Sequence, residues 1–252
     1  MIAILSPAKR MKITKNDLKF TIPDFLDQTG ILMNELRAYN SADLQQLMGI
    51  SPKLSDLNFE RNQQFENIHS IDNSAQAILS FKGDVYIGID APSLDSGDLD
   101  FAQDHIRILS GLYGILKPLD LIQPYRLEMG TKLKNPKGNN LYAFWKKKLT
   151  GKINEDIKKS GSEILLNLAS DEYYKVLDKD DITAKIIKIV FKEYKDDKLK
   201  FISFNAKKAR GLMSRYIIKN RINDKESLKG FDYEGYYYED TLSKEDELWF
   251  IR

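Results

Sequence analysis

The segment Ala184–Phe204, AKIIKIVFKEYKDDKLKFISF, decides the fold. Two runs rich in Ile, Val, Phe and Tyr flank Lys195-Asp196-Asp197-Lys198, a polar interruption that turns one strand back on the next, so the segment predicts a β-hairpin. Elsewhere strand candidates alternate with helical patterns. A hairpin inside such a chain predicts an α/β protein of the mixed α+β kind, with a mixed sheet flanked by helices rather than a strictly parallel one.

Downstream of the hairpin, Ala209, Leu212, Met213, Tyr216 and Ile217 follow the i, i+3, i+4, i+7, i+8 spacing of an amphipathic helix. Lys208, Arg215 and Lys219 fall on another face, with Lys207, Arg210 and Ser214 beside it, so these cations are expected to stand free for a ligand. Tyr233 to Tyr238 and Glu247 to Ile251 read as closing strands. Upstream, Glu163 to Ala169 reads as a strand, and Leu141, Trp145, Leu149, Ile153 and Ile157 recur every four residues as a helix. The stretch after Gly111 is loop-rich because its prolines forbid helix continuation. Asp98 is positioned to cap a helix whose Leu99, Ala102, Ile106 and Leu109 share one face. Residues from about 30 to 83 lack β-branched runs and predict a helical excursion. Ile2 to Leu5, ended by Ser6-Pro7, is a short buried strand. No repeat or Pro/Gly/Ser-rich linker divides residues 1–252, so a single domain is expected.

With 252 residues, 42% hydrophobic and 30% charged, the composition is that of a globular protein able to bury a core without staples. The absence of Cys removes thiolate nucleophiles, redox pairs and Cys-held metals. His69 and His105 lie in different segments with no metal spacing around either. The expectation is no metal site and no cofactor. The N-terminal residues lack the pattern of a secretory signal, and no apolar run approaches a membrane span. A cytoplasmic protein without a membrane partner is expected.

Net charge is only +2, but its distribution is segregated. Residues 131–160 carry nine Lys against Glu155 and Asp156, and residues 205–221 carry six bases and no acid. Residues 90–104 hold five Asp and no base, and the tail from 222 carries nine acids against four bases. Such segregation can build a local field that the near-neutral total conceals, or it can mark solvated faces.

Leu44-x-x-Leu47-x-Gly49-Ile50-Ser51-Pro52-Lys53 resembles a helix-hairpin-helix DNA-binding element, whose turn offers backbone N–H groups to phosphate. Ser51 stands where a second Gly is usual. The plainer reading is a helical turn with Gly49 as C′ residue, Ser51 as N-cap and Pro52 at N1, and the residues alone favour it. Three further segments crowd polar groups among apolar ones: Ser6 to Lys9, Gln123 to Glu128, and Asn167 to Tyr173. The first and third follow strands, where α/β folds place ligand loops. If they converge with Lys207 and Arg210, they form either an anion-binding pocket or buried ion pairs that fix the fold.

Taken together, Leu5-Ser6-Pro7-Ala8-Lys9, Phe81-Lys82-Gly83-Asp84-Val85-Tyr86, Leu109-Ser110-Gly111-Leu112-Tyr113-Gly114, Lys117-Pro118-Leu119-Asp120, Pro124-Tyr125-Arg126-Leu127-Glu128-Met129-Gly130, Asn167 to Tyr173 and Ala206 to Arg215 resemble the YaaA family of bacterial peroxide-stress-resistance proteins. The blocks run in order from residue 1 to about 238. The resemblance implies a cytoplasmic bacterial protein that limits hydrogen peroxide damage, associated with less free iron. It also implies binding of duplex or structured DNA through a basic cleft, and the two basic segments without an obvious base-reading motif predict that such binding is largely sequence-independent. Carried over residue by residue, the helix-hairpin-helix contact set is Gly49, Ile50, Ser51, Pro52 and Lys53, and the basic helix with Lys207, Lys208, Arg210 and Arg215 matches a family block and is expected to add DNA contacts. The acidic tail after Tyr238 is the least family-like part. The alternative is an enzyme acting on a nucleotide-like or other anionic small molecule, its anion held by Lys9, Arg126, Lys207 and Arg210, with Glu128, Asp171 or Glu172 as acid or base.

Overall fold

A computed structural model describes residues 1–252. In chain order its elements are β1 (Ile2–Leu5), β2 (Arg10–Met11), α1 (Leu26–Arg37), α2 (Ser41–Met48), α3 (Pro52–Gln64), β3 (Ala75–Gln76), α4 (Ala77–Ser80), β4 (Phe81–Lys82), α5 (Asp84–Ile89), α6 (Ser96–His105), β5 (Ile106–Ser110), β6 (Gly114–Leu116) and β7 (Leu121–Ile122). They continue with α7 (Leu141–Ser160), β8 (Ile164–Asn167), α8 (Asp171–Tyr174), β9 (Lys185–Lys195), β10 (Lys198–Lys200), α9 (Ser203–Asn220), α10 (Lys225–Leu228), β11 (Tyr237–Tyr238) and β12 (Glu247–Ile251).

The main sheet runs β11-β12-β9-β8-β1-β5-β6, with β10 paired to β9. Its middle is parallel, β1 lying between β5 and β8, β8 beside β9, and β9 beside β12. Antiparallel pairs form its margins: β6 on β5, β10 on β9 and β11 on β12. The mixed sheet expected from the hairpin is therefore present. β1 is buried at every residue, as a central parallel strand with both faces covered must be.

Two local expectations are corrected. The helix capped near Asp98 stops at His105, and Ile106 to Ser110 form β5 instead. Asp95 is the N-cap, with Asp98 at N3 completing a capping box. All five β5 residues are buried, which satisfies a strand covered on both faces better than a one-faced helix. At the other end, Tyr233 to Tyr238 supplies only the two-residue strand β11. Glu234 and Gly235 take positive φ and turn the chain before it can pair.

Between α2 and α3 the chain makes a tight turn. Gly49 caps α2 in the left-handed region (φ +61°), Ser51 is extended, and Pro52 opens α3. Buried Ser55 meets Ser41, the two hydroxyls lying 3.0 Å apart, and so clamps the two helices together. On the other flank, α7 buries Trp145 completely, and its Nε1–H donates to the Gly111 carbonyl at 2.9 Å. Gly114, at φ +73°, lies under that ring, where a Cβ would come within 2.7 Å of it. No helix is long and apolar enough to cross a membrane.

Candidate functional site

The loops leaving β1 and β8 stitch to one another at the C-terminal ends of the parallel strands. Leu168 N–H donates to the Ile4 carbonyl at 3.1 Å, and Ser170 N–H donates to Ser6 Oγ at 2.9 Å. The Tyr86 hydroxyl, from α5, donates to the Ser6 carbonyl at 3.1 Å. Above this floor opens a cavity of about 840 Å³, walled by Ser6 to Arg10, by Phe81 to Ile87, by Ser170 to Tyr173 apart from Asp171, and by Lys207 and Arg210 of α9.

A close helix contact sets the α9 wall. Gly88 of α5 and Gly211 of α9 bring the two backbones together. A Cβ on Gly88 would fall 2.3 Å from the Lys208 carbonyl oxygen, and one on Gly211 would fall 1.9 Å from that of Val85. Only glycine permits this approach. It fixes the turn of α9 that carries Lys207 and Arg210 directly against the cavity.

The cavity wall is rich in cations. Arg210 is the most unusual of them, because its side chain is half-buried in the wall and its guanidinium has neither a hydrogen-bonding nor an ion-pairing partner in the protein. Burial pushes its pKa down, with Asp171 pulling weakly the other way. Lys207, Arg10 and Lys82 are exposed at the rim and unpaired. Lys9 reaches Glu128 at 3.4 Å across a narrow crevice that adjoins the cavity. There Arg126 also binds Glu128, at 2.9 Å, leaving Arg126 Nε and Glu128 Oε2 buried without partners. Gly111 admits this strand-like segment, since a Cβ there would strike the Leu127 carbonyl at 2.2 Å. Glu172 accepts from Gly130 N–H at 3.0 Å, whereas Asp171 is exposed and lies outside the lining. Burial raises the pKa of Tyr86, Tyr125 and Tyr173, so all three present neutral hydroxyls.

The structure thus brings together Ser6 to Lys9, the Asn167 to Tyr173 loop, Lys207 and Arg210, with Arg126 and Glu128 next door. Other candidates fall elsewhere. Lys208, Arg215 and Lys219 are not free as expected. Lys208 pairs with Glu234, and Arg215 donates to the Ile89 carbonyl at 2.9 Å and to Ser93 Oγ at 2.8 Å. Lys219 and Arg221 both bind Asp98, at 2.7 and 2.9 Å. The acidic run at 90–104 faces the basic run at 205–221, and much of their opposed charge is consumed between them. Gly49, Ile50, Ser51, Pro52 and Lys53 lie on the α2–α3 turn, away from the cavity lining.

Arg10, Lys82 and Tyr86 were not singled out by sequence reasoning as site residues. The only signal was the Phe81–Tyr86 block shared with the resembled family. His69 and His105 serve the fold. The Tyr113 hydroxyl lies 2.9 Å from His69 Nε2, and His105 stacks on Phe101 and lies 2.9 Å from the Met1 carbonyl. No three His, Asp or Glu side chains gather in a metal-binding arrangement. A family model described as peroxide stress protein YaaA matches residues 1–242 of the chain.

Proposed function

The chain belongs to the peroxide stress protein YaaA family, and we propose that it acts in that response by binding DNA, with phosphate groups held at the cation-walled cavity. The observation that carries this reading is Arg210. A half-buried guanidinium that no protein group engages is partly desolvated and aimed at the cavity, where an anion would supply the charge-assisted hydrogen bonds it lacks. Lys207, Arg10 and Lys82 surround it with further unpaired positive charge. The lysines at 132, 134 and 137, exposed and unpaired, extend the basic surface from Gly130, which is tied to the cavity through Glu172. The start of α3 would add a second phosphate contact through the N–H groups of its first turn, since those of Gly49 and Ile50 already donate to the Gln45 carbonyl.

Protection then needs no redox chemistry in the protein. Lysines and arginines that neutralise phosphates release the cations bound there, iron among them. The test is a titration of unrelated duplexes across a salt series. Log affinity should fall with log salt by about 0.9 per phosphate neutralised, and Arg210→Gln should weaken binding to every sequence alike. A flat salt response, or no binding at low salt, overturns the reading.

The size of the cavity favours a second reading. About 840 Å³ falls within the range of small-molecule sites, roughly 300–1,000 Å³. A nucleotide-like anion could place its phosphate on Arg210 and Lys207, with Glu128 or Glu172 as acid or base. Tight binding of free nucleotide together with failure to bind DNA would select this reading.

A further inference from the structure

Two short strands set two cations against each other at the rim of the cavity. β2 and β4 pair antiparallel, and their register puts Arg10 directly opposite Lys82. Side chains in that relationship share one face of the ribbon, with Cβ atoms about 4.5–5.5 Å apart, and like charges there repel. Both side chains are exposed, both line the cavity, and neither meets a carboxylate. A second pair, Lys207 and Arg210, lines the cavity from α9 and is equally without a partner. Among the lining carboxylates, Glu172 accepts from Gly130 N–H at 3.0 Å and Asp90 faces Arg215 at 3.8 Å. Only Asp84 is left to oppose the two free pairs.

α5 holds these pairs apart. It begins just after Lys82, and Gly88 near its other end packs on the α9 backbone at Lys208 and Gly211. Its 6 residues, at about 1.5 Å each, put roughly 9 Å between the two ends. The stretch between is apolar, with Phe81 beside Lys82 and Val85 within the helix, and Leu168 and Tyr173 line the same cavity. Ile87 of α5 also lines it and is 60% exposed, so a base laid there would cover apolar surface.

We propose, on the footing that the cavity is an anion site, that it takes one nucleoside unit flanked by two separate phosphates. One phosphate sits on Arg10 and Lys82, the other on Lys207 and Arg210, and the sugar and base lie against the apolar stretch. An anion between Arg10 and Lys82 turns their repulsion into shared attraction through charge-assisted hydrogen bonds. Phosphates joined through one bridging oxygen lie too close together to occupy both pairs, whereas phosphates on the two sides of a sugar are spaced for it. Two sources carry that chemistry: a free nucleoside bisphosphate, and a nucleotide within a DNA strand, which has a phosphate on either side.

Titration calorimetry of the full chain tests this with two ligands that differ only in where the phosphates sit. One is thymidine with a phosphate on each sugar hydroxyl, and the other is thymidine diphosphate with both in one chain. The bisphosphate should bind at least about tenfold more tightly. Arg10→Gln with Lys82→Gln should erase that advantage, and so should Lys207→Gln with Arg210→Gln, since each double variant leaves a single phosphate position. Without ligand, Lys82→Gln should melt no lower than the parent, because a like-charge pair is relieved. The assignment is overturned if neither ligand binds, if the diphosphate binds as tightly as the bisphosphate, if the Arg10 and Lys82 variant keeps the advantage, or if Lys82→Gln melts well below the parent. Adding the bisphosphate to a complex with labelled oligothymidine separates the sources. Displacement places a nucleotide of the strand in the cavity; bisphosphate binding without displacement, or in a protein that binds no DNA, supports the free ligand. Normal DNA binding with no uptake of the bisphosphate sinks the nucleoside site and leaves DNA binding standing.

Discussion

The ammonium of Lys219, near the end of α9, lies 2.7 Å from the buried carboxylate of Asp98, in the first turn of α6. Arg221 holds the other oxygen at 2.9 Å, and the same carboxylate closes the capping box of α6. Burial pushes the Asp98 pKa up, but the bonds from Lys219, Arg221 and the Asp95 backbone outweigh it and hold the group below its ordinary value of 3.8.

A carboxylate depressed in the fold contributes stability that is complete above its unfolded pKa and is lost as pH falls through the folded one. The acid limb of the stability profile below about pH 4 should therefore be shallower in Asp98→Ala than in the parent. At neutral pH the substitution should cost about 1 kcal/mol, since the reciprocal arm of the capping box is lost while Asp95 still caps the helix and the exposed cations regain water. Urea unfolding across pH measures both effects. Parallel acid limbs would show that Asp98 is not the linked group.

His69 gives a second pH signature. Burial pushes it down to about 4, against the opposing pull of the Asn67 backbone and Glu66. The unfolded chain binds this proton first, so stability should fall as pH drops from about 6.5 towards 4, at up to about 1.4 kcal/mol per pH unit. His69→Gln should remove that slope. Melting temperatures at pH 7, 6, 5 and 4.5 check it, and an unchanged slope in the variant would contradict it.

Arg210 should separate stability from binding. The half-buried Arg210 charge has no protein partner to lose, so Arg210→Gln should melt close to the parent temperature while DNA affinity drops. Lys208→Gln and Arg215→Gln should leave DNA affinity unchanged, because both side chains are engaged by the protein. Met213→Ala, at a fully buried position, should cost roughly 2–5 kcal/mol through the cavity it leaves. If Arg210→Gln destabilised the fold, its charge would have an unrecognised partner.

Two glycine substitutions should act in opposite directions. Gly211→Ala forces a methyl to within 1.9 Å of the Val85 carbonyl oxygen, and should cost at least about 1–3 kcal/mol. By moving α9 off α5, it should also weaken anion binding. A Cβ on Gly151 of α7 would meet nothing within 4 Å, so Gly151→Ala should gain about 0.5–1 kcal/mol from helix propensity. Equilibrium unfolding of both variants decides.

The sheet was largely legible from local pattern, because β1, β8 and the β9–β10 hairpin are apolar or β-branched runs with clear stops. β5 was not. Ile106 and Leu109 continue the helical spacing of Leu99 and Ala102, and only pairing with β1 resolves the ambiguity. At the site, the polar loops after β1 and β8 were readable because strand ends are where ligand loops form. The fate of the α9 cations was hidden, since no periodicity states that the acidic run near residue 95 will face them. Arg10 and Lys82 were hidden for a similar reason: each is one ordinary cation until β2 pairs with β4, setting Arg10 opposite Lys82.

The central place of β1 also governs how the chain can be made. Its neighbours are β5, about a hundred residues later, and β8, some sixty further on. At synthesis rates of roughly 5–20 residues per second, the first strand must wait on the order of ten seconds after leaving the ribosome before both partners exist. The helices α1 to α3, whose contacts are local, can condense early, while β1 remains an apolar segment without a sheet. Newly made chains are therefore most exposed to aggregation before α7 and β8 have emerged, and a chaperone holding the N-terminus would act in that interval.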